Sequence, residues 1–311
     1  MGNTFLLRTL PDAQNILKAV GDNGKKVVVI GSSFIGMEVG NCLAGMKNDV
    51  TVIGMEEGTS HNSSLETANK PLTFSEEPME RVMGKKVGKI FRGLLEKNGV
   101  KFKMGASVEK ATPSKSDSSK VGTVHLKDGT TLEADLVIEG VGVKPATEYL
   151  KDNSSVQLEK DGSLKTNEAF EVQGLKDVFA IGDIATYPYH GPGGNGTPVR
   201  IEHWNVAQNA GRSVANSINN PGAKAKPFIP VFWSALGSQL RYCGNTVNGY
   251  DDVVLQGDTE KPSFVAYYTS GDEVVAVASM MKDPYMTQVC QAQFSLGDRV
   301  VFSTRRVVCL L

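Results

Sequence analysis

KKVVVIGSSFIGMEVGNCLAGMKNDVTVI, residues 25–53, decides the fold of this chain. Val27 to Ile30 is a continuous apolar run of strand length, SFIGMEVGNCLAG carries apolar residues at helical spacing, and Asp49 to Ile53 returns to strand. The three pieces make one βαβ unit, which implies parallel strands joined by a crossover helix. Between strand and helix stands Gly31-Ser32-Ser33-Phe34-Ile35-Gly36, in the structural context that a dinucleotide fingerprint requires. Gly31 makes the tight turn, Gly36 allows close helix packing, and the helix N-terminus offers unpaired amides to a pyrophosphate. Ser33 occupies the place of the middle glycine, and its hydroxyl is a donor for the same oxygens. A plain βα turn remains the simpler alternative.

An acid is expected about twenty residues beyond the first glycine, to take a ribose 2′-hydroxyl. Gly54 stands there, which leaves Glu56 or Glu57, and no arginine nearby invites a 2′-phosphate. Residues 56–77 turn polar and lose periodicity, as an insertion does. Pro78 to Gly99 has helical spacing, with Val82, Val87, Ile90, Phe91, Leu94 and Leu95 on one side. SVEKA, GTVHLKDG and TTLEADLVIEGVGV form an antiparallel meander with Asp128-Gly129 at a hairpin turn, ending in an apolar strand, and Pro145 closes the unit.

DGSLKTNEAFEVQGLKDVFAIGDIA, residues 161–185, places Asp183 after an apolar strand, where an α/β sheet leaves its ligand crevice. Asp183 as a simple cap is the rival reading. Tyr187 to Pro198 is loop, Trp204 to Ile218 is helix, and DDVVLQG, SFVAYYT and EVVAVASM are short strands of a small α+β unit.

Composition narrows the classes. The 311 residues are 40% hydrophobic, enough for more than one core, and 33 basic against 34 acidic side chains leave a net charge of −1. Such a balance supplies no field for nucleic acid or anionic lipid. Apolar runs stay far below the roughly 20 residues of a membrane span, and the beginning MGNTFLLRTL has no secretory or myristoylation pattern. Cys42, Cys243, Cys290 and Cys309 form no CxxC pair or zinc spacing, so reduced thiols are expected, no metal is expected, and the Asn-x-Ser/Thr matches at Asn62, Asn153 and Asn195 carry no weight.

SFIGME, PMERVMGKKVG, EGVGVKP, DGSLKTN and VFAIGD, in this order, resemble the pyridine-nucleotide flavoprotein reductases. IEHWNVAQNAG (201–211), FWSALG (232–237), LRYCG and GDEVVAVASMMKDP are similar to the apoptosis-inducing-factor-like, ferredoxin (rubredoxin) reductase-like branch. The resemblance implies an α/β fold in which a Rossmann-like NADH domain is inserted in a partial FAD-binding domain and followed by a small α+β C-terminal domain. Its divisions are 1–24 as a remnant or crossover of the FAD domain, 25–145 as the NAD(P)H domain with its insertion at 56–77, 146–226 as the rest of the FAD domain, and 227–311 as the C-terminal domain.

By the same resemblance, Gly31, Ser32, Ser33, Phe34, Ile35 and Gly36 line the NADH pyrophosphate, Glu56 reaches its ribose, and Gly140, Val141 and Gly142 border the same cofactor. Glu38 approaches the nicotinamide amide. Gly182 and Asp183 hold the flavin ribityl chain, Glu202, His203 and Trp204 sit near the isoalloxazine, and Trp233 flanks the flavin and nicotinamide stack. Glu38 and Trp233 are thus the expected positioning groups of catalysis. Read without the resemblance, Glu38 complements a helix dipole, Trp233 is a core aromatic and His203 a hydrogen-bonded turn residue. The implied activity is electron transfer from NADH, less so NADPH, through FAD to an iron–sulfur acceptor such as a ferredoxin or Rieske protein, in the cytoplasm or alternatively the mitochondrion, with a homodimer as one possible state. The glycine turn that holds FAD in such reductases has no counterpart before Asn15, so the chain reads as N-terminally truncated with half a flavin site. A non-catalytic NADH-binding module or interaction protein is the alternative.

Overall fold

The structure, a computed structural model, describes residues 1–54, 57–58, 73–221, 228–284, 286, 300–303 and 306–309. A five-stranded parallel sheet runs in the order Thr4–Leu6, Leu136–Glu139, Lys26–Ile30, Asp49–Gly54, Val100–Met104. Its central strands Lys26–Ile30 and Leu136–Glu139 are apolar on both sides because both faces are covered. Val27 and Val29 point into a core with helices α1 (Leu10–Val20), α2 (Phe34–Gly45) and α3 (Glu80–Lys97), whereas Val28, Ile53 and Val137 meet Val121, Val124 and Leu126 of the meander on the other face. The expected meander is present as Val108–Pro113, Val121–Leu126 and Thr131–Glu133. Its last apolar segment, Leu136–Glu139, instead joins the parallel sheet.

Residues 1–24, expected as a crossover from a flavin unit, sit within this layer. Thr4–Leu6 pairs in parallel with Val137 to Glu139, and the Asn3 side chain donates to the carbonyls of Val121 (2.9 Å) and Asp135 (2.7 Å) while accepting from Val121 N–H (2.7 Å). Helix α1 starts on a Thr9–Asp12 capping box and buries Ile16 and Val20 in the core that holds Val27 and Val29.

Helix α3 occupies the span expected of it, but it kinks at Gly84 (φ 73°, ψ 163°). The hydroxyl of Tyr250 lies 2.1 Å from where a Cβ would stand there, so only glycine lets the aromatic in. The buried face runs along Met83, Val87, Phe91 and Leu95, four residues apart, and Val82, expected on it, is exposed. Most of the expected 56–77 insertion, Glu56 included, lies outside the described residues; Glu57–Gly58 and Thr73–Phe74 pair across it.

Beyond Pro145 a three-stranded sheet, Leu164–Lys165, Ala185–Tyr189 and Thr197–Val199, packs with helix α4 (Trp204–Asn219) around Phe170, Tyr187, Val206 and Ala210. VFAIGD is not the regular strand its apolar run suggests. It makes an isolated bridge from Phe179 to Glu171 and passes through a 3-10 turn at Gly182–Ile184 before the true strand begins. Its ladder partners come only from the tight turn at 170–172, too short to sustain pairing.

The C-terminal unit is an antiparallel sheet ordered Val231–Ala235, Gln239–Gly244, Glu273–Met280, Ser263–Ser270, Asp252–Asp258. Leu240, Phe264, Tyr268 and Ala278 share one continuous core with α2 and α3. Phe91 of α3 and Phe264 lie 6.3 Å apart between ring centres. Cys243 is disulfide-bonded, which corrects the expectation of reduced thiols, while Cys42 is free. Among the described residues, no helix is long and apolar enough to cross a membrane and no group of three His, Cys, Asp or Glu side chains is placed to hold a metal.

Candidate cofactor site

Two glycines at strand ends, Gly31 and Gly140, and one in the first turn of α2, Gly36, make the first wall. Gly31 has φ 108°, and a Cβ on it would meet the Gly140 carbonyl oxygen at 2.3 Å. A Cβ on Gly36 would fall 2.0 Å from the Gly31 oxygen, and one on Gly140 would fall 3.1 Å from Gly36 Cα. Strand, turn and helix therefore touch backbone to backbone at Gly31, Gly36 and Gly140, and any side chain there opens the turn. The amides of Ser33 to Gly36 precede the first intrahelical bond, from Met37 N–H to Ser33 oxygen (2.9 Å). This is the fixed, amide-rich end that an anion needs.

The serines behave differently from a free donor pair. Ser33 Oγ donates to the Gly140 carbonyl at 3.0 Å, and Ser32 is fully buried beneath the turn with its hydroxyl unpartnered among the described residues. Gly54, in the place expected of the ribose acid, is also explained: a Cβ there would meet Met104 Cε at 2.4 Å and Ser32 Oγ at 3.0 Å. A side chain at 54 would thus have to displace the Met104 thioether and crowd Ser32. Val141 and Gly142 (φ 104°) lie exposed just past Gly140, at the mouth.

A second wall is aromatic. Phe34, the first residue of α2, meets Phe232 edge to face at 5.2 Å. Trp233 touches His203 (4.8 Å, 77°) and Trp204 (4.8 Å, 88°), the residues that open α4. Trp204 is 55% and Trp233 36% exposed, so neither is a core aromatic. Large rings left partly in solvent and packed edge to face present apolar ring faces of the kind that planar ligands cover. Glu38, one turn into α2, accepts from Ser234 Oγ and from Ala235 N–H (3.2 Å) with one carboxylate oxygen.

The His203 ring caps α4, Nδ1 facing Asn205 N–H at 3.2 Å while Nε2 faces Trp233 N–H at 3.4 Å. Both nitrogens thus meet donors, and a neutral ring can accept at only one. Burial pushes the His203 pKa down, against the pull of the Trp233 contact and of Glu38 and Asp183. The unfolded chain then holds the proton more tightly, so stability falls as pH drops below the ordinary histidine value of about 6.5 and the loss is complete below the lowered folded value. His203→Gln is expected to flatten this acid slope in a series of thermal melts between pH 7 and 5; an unchanged slope would exclude His203 as its source.

A third group was only partly visible in the sequence. Asp183 pairs with Arg8 (Nη2 to Oδ2, 2.6 Å). Arg200, mostly buried, bonds Asp161 (2.9 Å), the Asp183 carbonyl (3.3 Å) and Glu202 (2.5 Å). Burial alone would raise the Asp161 pKa, but Ser163 and Arg200 outweigh it and hold it below the usual carboxylate range. Gly182 (φ 72°) is partly exposed, and a Cβ on it would lie 3.2 Å from Ala207 Cβ of α4. Arg8 and Arg200 are missing from the sequence-derived site, because isolated arginines after short strands carry no spacing signal. Ser234 is missing for the same reason.

The parallel sheet, the glycine turn and the facing tryptophan strand define a dinucleotide-binding α/β protein with a second antiparallel unit. The chain belongs to the pyridine nucleotide-disulphide oxidoreductase family, whose model matches residues 1–211. It is 34% identical over 290 residues to human apoptosis-inducing factor 3, covering 93% of this chain and 43% of that protein. It is 30% identical to monodehydroascorbate reductase 3 of Arabidopsis thaliana, covering 97% of the chain and 65% of that reductase. Among solved structures, the covalent putidaredoxin reductase–putidaredoxin complex superimposes with a TM-score of 0.78 at 27% identity, over 94% of this chain and 64% of that one. The chain thus spans between about two-fifths and two-thirds of the length of these relatives.

Proposed function

We propose that the chain serves an FAD- and NAD(P)H-dependent oxidoreductase that passes electrons from NADH through flavin to an iron–sulfur protein of the ferredoxin type. The observation that carries this reading is convergence. Phe34 and Glu38 from the glycine-turn helix, His203 and Trp204 from the start of α4, and Phe232 to Ala235 from the C-terminal sheet meet at one place. The putidaredoxin reductase neighbour, captured with its putidaredoxin, supports the class of acceptor.

The residues fit the groups they would hold. In this reading the α2 amides receive the pyrophosphate, Glu38 presents a carboxylate to the nicotinamide amide, and Trp233 covers the stacked rings and keeps water out. Asp183, Arg8 and Arg200 form the polar side on which a flavin chain rests, and Glu202, His203 and Trp204 border its ring. A bound flavin would supply hydride acceptance from nicotinamide and one-electron delivery, so the protein's part is alignment and exclusion of solvent. The nucleotide unit extends to 145 and includes residues 1–24, 146–226 is the flavin-facing unit, and 227–311 supplies the tryptophan. The alternative reading is a non-catalytic NADH-binding module.

Titrating the purified chain with FAD and then NADH separates the two. Bound-flavin absorption near about 450 nm that bleaches on adding NADH is the expected result. NADH binding by a chain that retains no flavin would favour the module.

A further inference from the structure

We infer that Ser234 is a positioning residue, clasping the Glu38 carboxylate and through it setting the ring of Trp233; the inference rests on the site being a pyridine-nucleotide pocket. Val231–Ala235 is the first strand in the order of its sheet and, among the described residues, has a ladder partner on one side only, Gln239–Gly244. Its other edge is held by groups from elsewhere in the fold. Trp233 N–H faces His203 Nε2 and Ala235 N–H donates to Glu38 Oε1, the alternate residues whose amides point outward from an antiparallel edge. Ser234 adds its hydroxyl to that same oxygen.

Ser234 is 5% exposed, and Glu38 is only partly so, which makes this a shielded, charge-assisted hydrogen bond between α2 and the C-terminal sheet. Two donors converge on Oε1, whereas Oε2 accepts none among the described residues. The carboxylate is thereby presented with one oxygen turned into the protein and the other left for a donor on a ligand, such as a carboxamide N–H. The clasp also fixes the strand immediately after Trp233, whose ring lies at 88° to Trp204. Without the hydroxyl, a single amide restrains the carboxylate, and part of the binding energy goes into restoring its orientation.

The chain has only two tryptophans, and both are in this cluster, so its near-ultraviolet circular dichroism reports the clasp directly. Ser234→Ala is expected to weaken NADH binding about tenfold, the size of losing one hydrogen bond to a charged group, and to change the tryptophan band. Ser234→Thr, which keeps the hydroxyl, is expected to restore both. In a Glu38→Ala background, Ser234→Ala should add almost nothing, because it acts through the group already removed. A residue that only supports the fold would lower the melting temperature and leave affinity and spectrum alone. That result, or an equal loss in both backgrounds, overturns the proposal. Should the unmodified chain bind no NADH, the functional reading fails, and the tryptophan band still decides the clasp: a spectrum shared by Ser234→Ala and Glu38→Ala supports it, and a spectrum unchanged by Ser234→Ala overturns it.

Discussion

Gly36→Val is expected to abolish measurable NADH binding while leaving a folded, less stable protein. A Cβ at 36 would sit 2.0 Å from the Gly31 oxygen and 3.1 Å from its carbon, and both belong to backbone that cannot swing aside like a side chain. The helix must therefore retreat from the turn. Gly140 cannot absorb the movement, because it already rests on Gly36 from the neighbouring strand end. Overpacking of this kind costs about 1–3 kcal/mol of stability. The functional loss is larger, since each amide displaced from a charged phosphate forfeits about 1.5–3 kcal/mol, or roughly ten- to a hundredfold in affinity. Calorimetry measures the binding and far-ultraviolet circular dichroism the fold. Retained affinity in a folded variant would show that the turn is an ordinary strand-to-helix connection.

Phe91→Ala is expected to cost about 3–5 kcal/mol, a large share of the roughly 5–15 kcal/mol that holds a typical domain. Phe91 is fully buried on α3 and meets Phe264 of the antiparallel sheet, so its removal leaves a hole between two units rather than inside one. Urea unfolding followed by tryptophan fluorescence, which reports on the Trp233 strand and the start of α4, and by far-ultraviolet circular dichroism, which reports mainly on the rest, should move to lower denaturant together. A tryptophan midpoint that stays in place while the other falls would contradict the single continuous core through α2, α3 and the C-terminal sheet.

Much of the parallel sheet was legible because its signals are local. Val27 to Ile30, Gly31, Gly36 and the strand from Asp49 each state their conformation within a few residues, and the sheet places them as read. Where pairing partners lie far apart in sequence, legibility fails. Residues 1–24 look like a connection, yet Asn3 and Thr4–Leu6 find partners near 121 and 135–139 that no local pattern announces. VFAIGD has the composition of a strand and lacks the neighbours to be one. The kink at Gly84, where the Tyr250 hydroxyl stands in the place of a Cβ, depends on a residue 166 positions later.

The site divides along the same line. Gly31 and Gly36 could be found from spacing, and Trp233, His203 and Glu38 from resemblance, but the bonds joining them could not. Ser234 meets Glu38 across 196 positions and Arg8 meets Asp183 across 175, so neither partner carries a motif. Ser33 looked like a phosphate donor and spends its proton on Gly140, because the same tight packing that needs glycine at 31 and 36 brings that carbonyl within reach.

Titration of the purified chain with NADH, followed by tryptophan fluorescence, tests the central claim most directly, since Trp233 lines the place where the nicotinamide is expected and Trp204 packs against it. The account predicts saturable quenching that Gly36→Val eliminates. Tryptophan emission that stays constant across the titration, with no heat of binding in a parallel calorimetric run, would contradict it.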